Sequence, residues 1–136
     1  MAELLARAYA EKRGWQVEVA SAGTLNLVGR GADPTAIRVM GEIGLDLSGH
    51  RSQGLSAELV DWADYILGMD LGHSAAVRGR FPFADEKAML LGSFGGAFEI
   101  ADPLGGWRWK FRRTRDLIKT CVESFVDQLP PRPAVL

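Results

Sequence analysis

The sequence predicts an α/β fold in three layers, with a parallel sheet flanked by helices. Segments of helical and of strand-like periodicity alternate along the chain, as they do in proteins built on a parallel sheet. Residues 65–69 are almost wholly apolar, which is typical of a parallel strand covered on both faces. A chain of 136 residues, 47% of them hydrophobic, is large enough for one core, so we expect residues 1–136 to form a single domain.

The composition excludes several classes of protein. Sixteen basic and seventeen acidic residues give a net charge of -1, so we expect no nucleic-acid partner and no membrane partner. No apolar run approaches the roughly 18 residues of a membrane span. The single cysteine excludes an internal disulfide and fits a cytoplasmic location. One cysteine and two separate histidines lack the spacing of metal ligands, and we expect neither a metal nor a cofactor.

Hydrophobic periodicity predicts five helices and three strands. In order they are a helix over residues 1–13, a strand over 15–20, a helix over 33–44, a short helix from residue 56, a strand over 65–69, a helix over 70–77, a weaker strand over 87–91 and a helix over 108–129. Asp33, Ser56 and Asp70 stand where helix N-caps are expected. The first helix has no such cap. The last helix is expected to end at Pro130 and Pro131.

The segment 101–106 contains the best candidate for a catalytic side chain. Pro103 fixes its own φ and moves Asp102 out of the helical region, and Gly105 and Gly106 permit a tight turn. Asp102 is therefore held on a loop near the carboxyl ends of the strands, where ligands bind in folds of this class. It could act as a general acid or base. Alternatively, it only initiates a turn.

Other reactive residues have weaker patterns. His50 could be a base, but a histidine in this position is more often a structural hydrogen bonder. His73 lies early in a helix and is expected at the surface. Cys121 lies on the apolar face of the last helix, where packing is expected rather than nucleophilic chemistry.

Residues 107–113 mix aromatic side chains with four cations. This run could stack on a substrate or on nucleic acid. The alternative is the solvated start of a basic helix whose aromatic residues face inward.

Five short motifs occur in an order that resembles the low-molecular-weight protein tyrosine phosphatase family. They are MAE at residues 1–3, VASAGT at 19–24, GLDLSGHR at 44–51, YILGMD at 65–70 and the Asp-Pro pair at 102–103. Each motif alone is weak, but the five in order cover the whole chain.

The resemblance implies a fold and a set of roles. The fold would be a parallel four-stranded sheet flanked by helices, and the activity would be hydrolysis of a phosphorylated protein or a small phosphomonoester. Asp102 matches the general acid of the family. Ser21 and His50 resemble positions that support the phosphate loop, and Leu27 and Leu104 match positions that contact the substrate. Because Leu104 follows the proline where the tyrosine-specific branch has aromatics, the segment is closer to the protein-arginine-phosphatase-like branch.

The resemblance also implies that a part is missing. The family's nucleophile lies in a C-x-x-x-x-x-R-S/T loop, which the first strand precedes and the MAE helix follows. This sequence starts at that helix, and Cys121 is not followed by an arginine at the required spacing. We therefore expect the first strand to be missing, the 136-residue chain to be inactive, and the exposed sheet edges to favour a homodimer.

Three other functions remain open at this point. A pseudo-phosphatase would keep the scaffold for binding or regulation. Arsenate reduction on the same fold needs several placed cysteines, which the composition disfavours. A nucleic-acid module would rest on residues 107–113 alone.

Overall fold

The structure is a computed structural model that describes residues 1–130 of the chain. Its helices and strands are α1 (Ala2–Lys12), α2 (Pro34–Gly41), α3 (Ala57–Trp62), β1 (Ile66–Gly68), α4 (Leu71–Arg80), β2 (Ala88–Leu90) and α5 (Arg108–Gln128). Two short 3₁₀ helices flank β2, at Pro82–Lys87 and Leu91–Gly95. The predicted stop at Pro131 lies outside the described residues, as does the rest of 131–136. No helix in the described part is long and apolar enough to span a membrane.

The predicted N-caps are confirmed by their hydrogen bonds. Asp33 accepts a hydrogen bond from the backbone of Thr35 at 2.7 Å. Ser56 accepts one from Leu59 at 3.2 Å, and Asp70 accepts one from His73 at 2.9 Å. Each cap satisfies an amide at the start of a helix that the helix itself cannot pair, and so determines where the helix begins.

The two strands form a parallel sheet, which confirms the predicted α/β arrangement. Ile66 pairs with Ala88 and Gly68 with Leu90. All three residues of β1 are only half-buried, so the strand is not covered on both faces as its sequence suggested.

The strand predicted over residues 15–20 is wrong as a hydrogen-bonded element. Residues 16–20 form no ladder with β1 or β2. The side chains nevertheless alternate as predicted, with Val17 and Val19 half-buried and Glu18 exposed. The pattern thus directs the apolar side chains inward, but a ladder also needs a neighbouring strand within hydrogen-bonding distance.

The main core surrounds α5, which packs against α1, α2 and the turn Leu91–Gly95. Its fully buried members with the largest apolar side chains include Val39, Met40 and Leu91. A second, smaller cluster joins α3 and α4 through Val60 and Val77. The main core therefore packs against one flank of the sheet, beside the segment that leads to Asp102.

A buried arginine connects α5 to the end of α2. Arg115 donates to the backbone oxygen of Val39 at 2.8 Å and to Glu42 at 3.0 Å. Arg112 also binds Glu42, with its closest contact at 2.6 Å. The hydrogen bond from Arg112, and to a lesser degree the ion pair with Arg115, lowers the pKa of Glu42 to about 2. This clamp was not predicted from the sequence.

Candidate active site

Asp102 lies on an exposed turn that is pinned to the carboxyl end of β1. The amide of Ile100 donates to the backbone oxygen of Met69 at 2.8 Å, which fixes the chain two residues before the aspartate. The Asp102 carboxylate accepts a hydrogen bond from the amide of Leu104 at 2.9 Å. Because the carboxylate stays exposed, it can still exchange a proton with a bound molecule.

The turn after Asp102 has a backbone that requires glycine. Gly105 has a φ of +80°, a conformation that residues with a Cβ rarely adopt. The amide of Gly106 donates to the oxygen of Pro103 at 2.8 Å. A Cβ on Gly106 would lie 2.6 Å from Cδ of Lys110, so the turn packs closely on the first turn of α5. Asp102 is thereby positioned by both β1 and α5.

Ser21 belongs to a second group, at the first turn of α1. Its hydroxyl donates to Glu3 at 2.9 Å. Arg7 donates to the other oxygen of Glu3 at 3.2 Å and to the backbone oxygen of Val19 at 2.8 Å. These bonds hold the segment around Ser21 against α1, although Ser21 has no hydrogen bond to the Asp102 turn among the described residues.

Backbone hydrogen bonds join the loop 21–30 to residues 52–55. Gly23 and Gly54 form an isolated parallel bridge, and the side chain of Gln53 donates to the oxygen of Ser21 at 2.9 Å. Leu27 lies on this loop and is 40% exposed, whereas Leu104, on the Asp102 turn, is 69% exposed. His50 is half-buried, and its amide donates to the oxygen of Leu47 at 3.1 Å.

An open groove of about 960 Å³ separates β1 from the segment 16–20. Its apolar lining comes from α1, the segment 16–20, β1 and α5, with Val19, Leu67 and Val122 as examples. Ser21 and Met69 also line it, so the Ser21 group and the strand end that carries the Asp102 turn border the same groove. His50, Leu27 and Leu104 lie outside the lining formed by residues 1–130.

Two residues beside β1 make contacts that the sequence did not predict. The side chain of His73 is 42% exposed, in agreement with the expected surface position, and it also lines the groove. Its Nδ1 accepts a hydrogen bond from the Met69 amide at 3.3 Å. Ser74 packs against Gly68, and its hydroxyl is buried without a partner within residues 1–130. The only sequence signal was their spacing after the Asp70 cap.

Cys121 is buried in α5, as predicted. It has no exposed surface, and its Sγ lies 4.0 Å from the backbone oxygen of Gly92. Burial raises the pKa of the thiol, which disfavours the thiolate needed for nucleophilic attack. Within the described residues, no group of three or more His, Cys, Asp or Glu side chains could hold a metal ion.

Comparisons with known proteins agree on one family. Residues 1–132 match the family described as low molecular weight phosphotyrosine protein phosphatase. A protein-arginine-phosphatase from Geobacillus stearothermophilus is 37% identical over 115 residues, covering 83% of this chain and 77% of the relative. The protein-tyrosine-phosphatase Wzb from Escherichia coli K12 is 35% identical over 114 residues, covering 84% of this chain and 78% of the relative.

Solved structures show the same similarity in three dimensions. The arginine phosphatase YwlE, in a mutant with a phosphorylated active-site serine, superposes with a TM-score of 0.88 at 29% identity, over 93% of this chain and 84% of that one. Wzb from Vibrio vulnificus, in complex with benzylphosphonate, has a TM-score of 0.86 at 31% identity, over 94% of this chain and 88% of that one. The chain therefore belongs to the low-molecular-weight phosphotyrosine protein phosphatase family.

Proposed function

We propose that this protein takes part in hydrolysis of phosphorylated proteins or small phosphomonoesters, with Asp102 as the general acid that protonates the leaving group. The observation that carries the proposal is the exposed Asp102 carboxylate on a turn fixed to the carboxyl end of β1. A positioned acid contributes about 10²–10⁴-fold to such a reaction. The family to which the chain belongs supports the same assignment.

The leaving group that we favour is a protonated nitrogen, as in phosphoarginine. Leu104 follows Pro103, where an aromatic side chain would suit the ring of phosphotyrosine, and similarity to two protein-arginine-phosphatases supports this choice. Leu27 and Leu104 would contact the substrate at their exposed apolar surfaces. Ser21 and His50 would support the phosphate-binding loop through hydrogen bonds.

We propose that the 136 residues alone do not complete this reaction. Phosphoryl transfer by this mechanism needs a thiolate and a set of anion-binding amides, and the single thiol, Cys121, is buried. By its resemblance to the family, the nucleophile loop would lie directly before α1, beside the groove. Ser21 and Met69 line that groove, which is consistent with this position.

The experiment is hydrolysis of p-nitrophenyl phosphate and of phosphoarginine by the 136-residue chain. We expect no turnover above buffer. Turnover that disappears in Cys121→Ser would contradict the proposal, because it would make the buried thiol the nucleophile.

A chain that carries an upstream C-x-x-x-x-x-R-S/T segment tests the role of Asp102. In that chain we expect Asp102→Asn to lower kcat by about 10²–10⁴-fold. Asp61→Asn is the matched control, because Asp61 is exposed on α3 and should leave kcat unchanged. An unchanged kcat in Asp102→Asn would remove this residue from the acid role.

A second candidate is a non-catalytic protein that binds phosphorylated partners, with a homodimer formed through the groove. The buried thiol and the apolar groove favour it. Inactivity of the longer chain, with retained binding of a phosphorylated peptide, would support this candidate. Light scattering across a dilution series tests the dimer. We expect cytoplasmic location for both candidates.

A further inference from the structure

The start of α5 carries an exposed aromatic and cationic surface, which we call the α5 patch. Its members are Trp107, Arg108, Trp109, Lys110 and Arg113, all of them exposed. Trp107 is 78% exposed and Trp109 is 55% exposed. Large aromatic side chains bury much apolar area when they find a partner, so the two exposed tryptophans, one at the N-cap and one in the first turn of α5, indicate a contact surface.

The expectation that the aromatic residues of this run face inward is wrong for both tryptophans. Phe111 alone is buried, at 4% exposure, against the main core. In a helix, residues one and two positions apart do not share a face. Burial of Phe111 therefore turns Trp109 and Lys110 toward solvent.

The cations of the patch differ from the two arginines that follow on the same helix. Arg112 pairs with Glu42, and Arg115 pairs with Glu42 and Asp116. Arg108, Lys110 and Arg113, by contrast, have no ion-pair partner within residues 1–130. The patch thus carries three uncompensated positive charges in a chain whose net charge is -1.

The patch adjoins the proposed general acid. Lys110 packs on Gly106, which belongs to the turn that holds Asp102. Trp107 lies five positions after Asp102, and five extended residues span at most about 18 Å. A peptide whose phosphorylated side chain lies at Asp102 can therefore reach the patch with residues a few positions away.

We propose that the α5 patch binds acidic residues that flank the phosphorylated side chain of a protein substrate. The proposal rests on the proposed function and specifies its substrate class. Carboxylates would pair with Arg108, Lys110 and Arg113, while the rings of Trp107 and Trp109 cover the apolar parts of the peptide.

Single-stranded nucleic acid is less suited to this surface. It would also stack on tryptophan, but its phosphates follow one another without a break. The patch offers three cations, so most phosphates of a continuous row would lie without a partner. A peptide can instead place a few carboxylates opposite the three cations.

The experiment measures binding of the 136-residue chain to a fluorescein-labelled peptide with several glutamates around a central unphosphorylated arginine. A peptide with glutamines in place of the glutamates and an oligo(dT) of similar length are the comparisons. We expect the glutamate peptide to bind most tightly, and its affinity to fall with rising salt. Equal affinity for the glutamate and glutamine peptides, or tighter binding of oligo(dT), would overturn the proposal.

Charge reversal locates the binding surface. We expect the double variant Lys110→Glu/Arg113→Glu to lower affinity for the glutamate peptide by about tenfold. Lys12→Glu is the control. Lys12 is exposed at the C-terminal end of α1, which contacts Asp127 in the last turn of α5 and so lies at the opposite end of that helix from the patch. Circular dichroism checks that both variants fold. Equal losses in the two folded variants, or none in the double variant, would overturn the proposal.

These binding results are independent of turnover, because the peptides carry no phosphate. Absence of phosphatase activity in the longer chain would contradict the proposed function while leaving the acidic-peptide preference measurable. Activity that is indifferent to flanking glutamates, with no difference in binding between the peptides, would contradict the docking surface alone.

Discussion

The two edges of β1 differ in what lies beside them. On one edge, β2 pairs with β1 in parallel register over three residues. On the other edge, a groove of about 960 Å³ separates β1 from the segment 16–20. The segment 16–20 alternates polar and apolar residues, and β2 is continuously apolar. Of the two, only β2 forms a ladder with β1. An apolar pattern alone is therefore not enough to form a strand here, because the segment also needs a partner strand within hydrogen-bonding distance.

This difference divides the candidate site into a fixed part and an open part. The fixed part contains the Asp102 turn, which β1 and α5 hold through Met69 and Lys110. The open part contains Ser21, at the groove beside α1. The proposed acid is thus positioned by the folded core, whereas the place proposed for the nucleophile loop borders the groove.

The largest expected effect concerns the clamp of Arg112, Arg115 and Glu42, which joins α5, a support of the fixed part, to the end of α2. Arg115→Ala should lower the free energy of unfolding by about 2–3 kcal/mol, because it leaves the Val39 carbonyl without its buried hydrogen-bond donor. Arg113→Ala, an exposed arginine on the same helix, should change it by less than about 0.5 kcal/mol. Urea denaturation of both variants measures the difference, and equal losses would show that the clamp contributes nothing.

A matched pair of valines compares core and groove with the same chemistry. Val39→Ala should lower the free energy of unfolding by about 2 kcal/mol, since it removes two fully buried methyl groups and leaves a cavity. Val19→Ala should cost less than about 1 kcal/mol, because Val19 lines the open groove and is already partly hydrated. The same denaturation measurement applies. A loss at Val19 as large as that at Val39 would mean that the groove is closed in solution.

A smaller effect is expected from pH. The pKa of Glu42 is about 2 in the folded chain, against an ordinary value of 4.5. Its stabilisation is therefore present above pH 4.5 and is lost as pH falls toward 2. The difference in Tm between the wild type and Glu42→Gln should be constant above about pH 5 and should shrink below it. A difference that stays constant down to pH 2 would contradict the assigned cause.

Local signals in the sequence predicted the helices well. The caps Asp33, Ser56 and Asp70 and the length of α5 follow from hydrogen bonding and periodicity within a few residues. The Asp102 turn was predicted because its proline and glycines restrict the backbone locally. Features of this kind need no knowledge of distant parts of the chain.

Features that depend on distant partners could not be predicted. The burial of Arg115 requires Val39 and Glu42, which lie more than seventy residues away. Phe111 is buried and Trp109 is exposed because of the side of α5 that meets the core. The failure of residues 16–20 to pair depends on the groove beside β1.

Hydrogen–deuterium exchange, read by mass spectrometry at low protein concentration, tests the central claim most directly. The claim is that one edge of β1 is paired with β2, whereas the other edge faces an open groove. We expect amides of the segment 16–20 to exchange as rapidly as those of an unstructured peptide, while amides of β2 and of residues 111–126 in α5 remain protected far longer. Equal protection of the segment 16–20 and β2 would contradict the account, because it would show that the groove beside the candidate site is already filled.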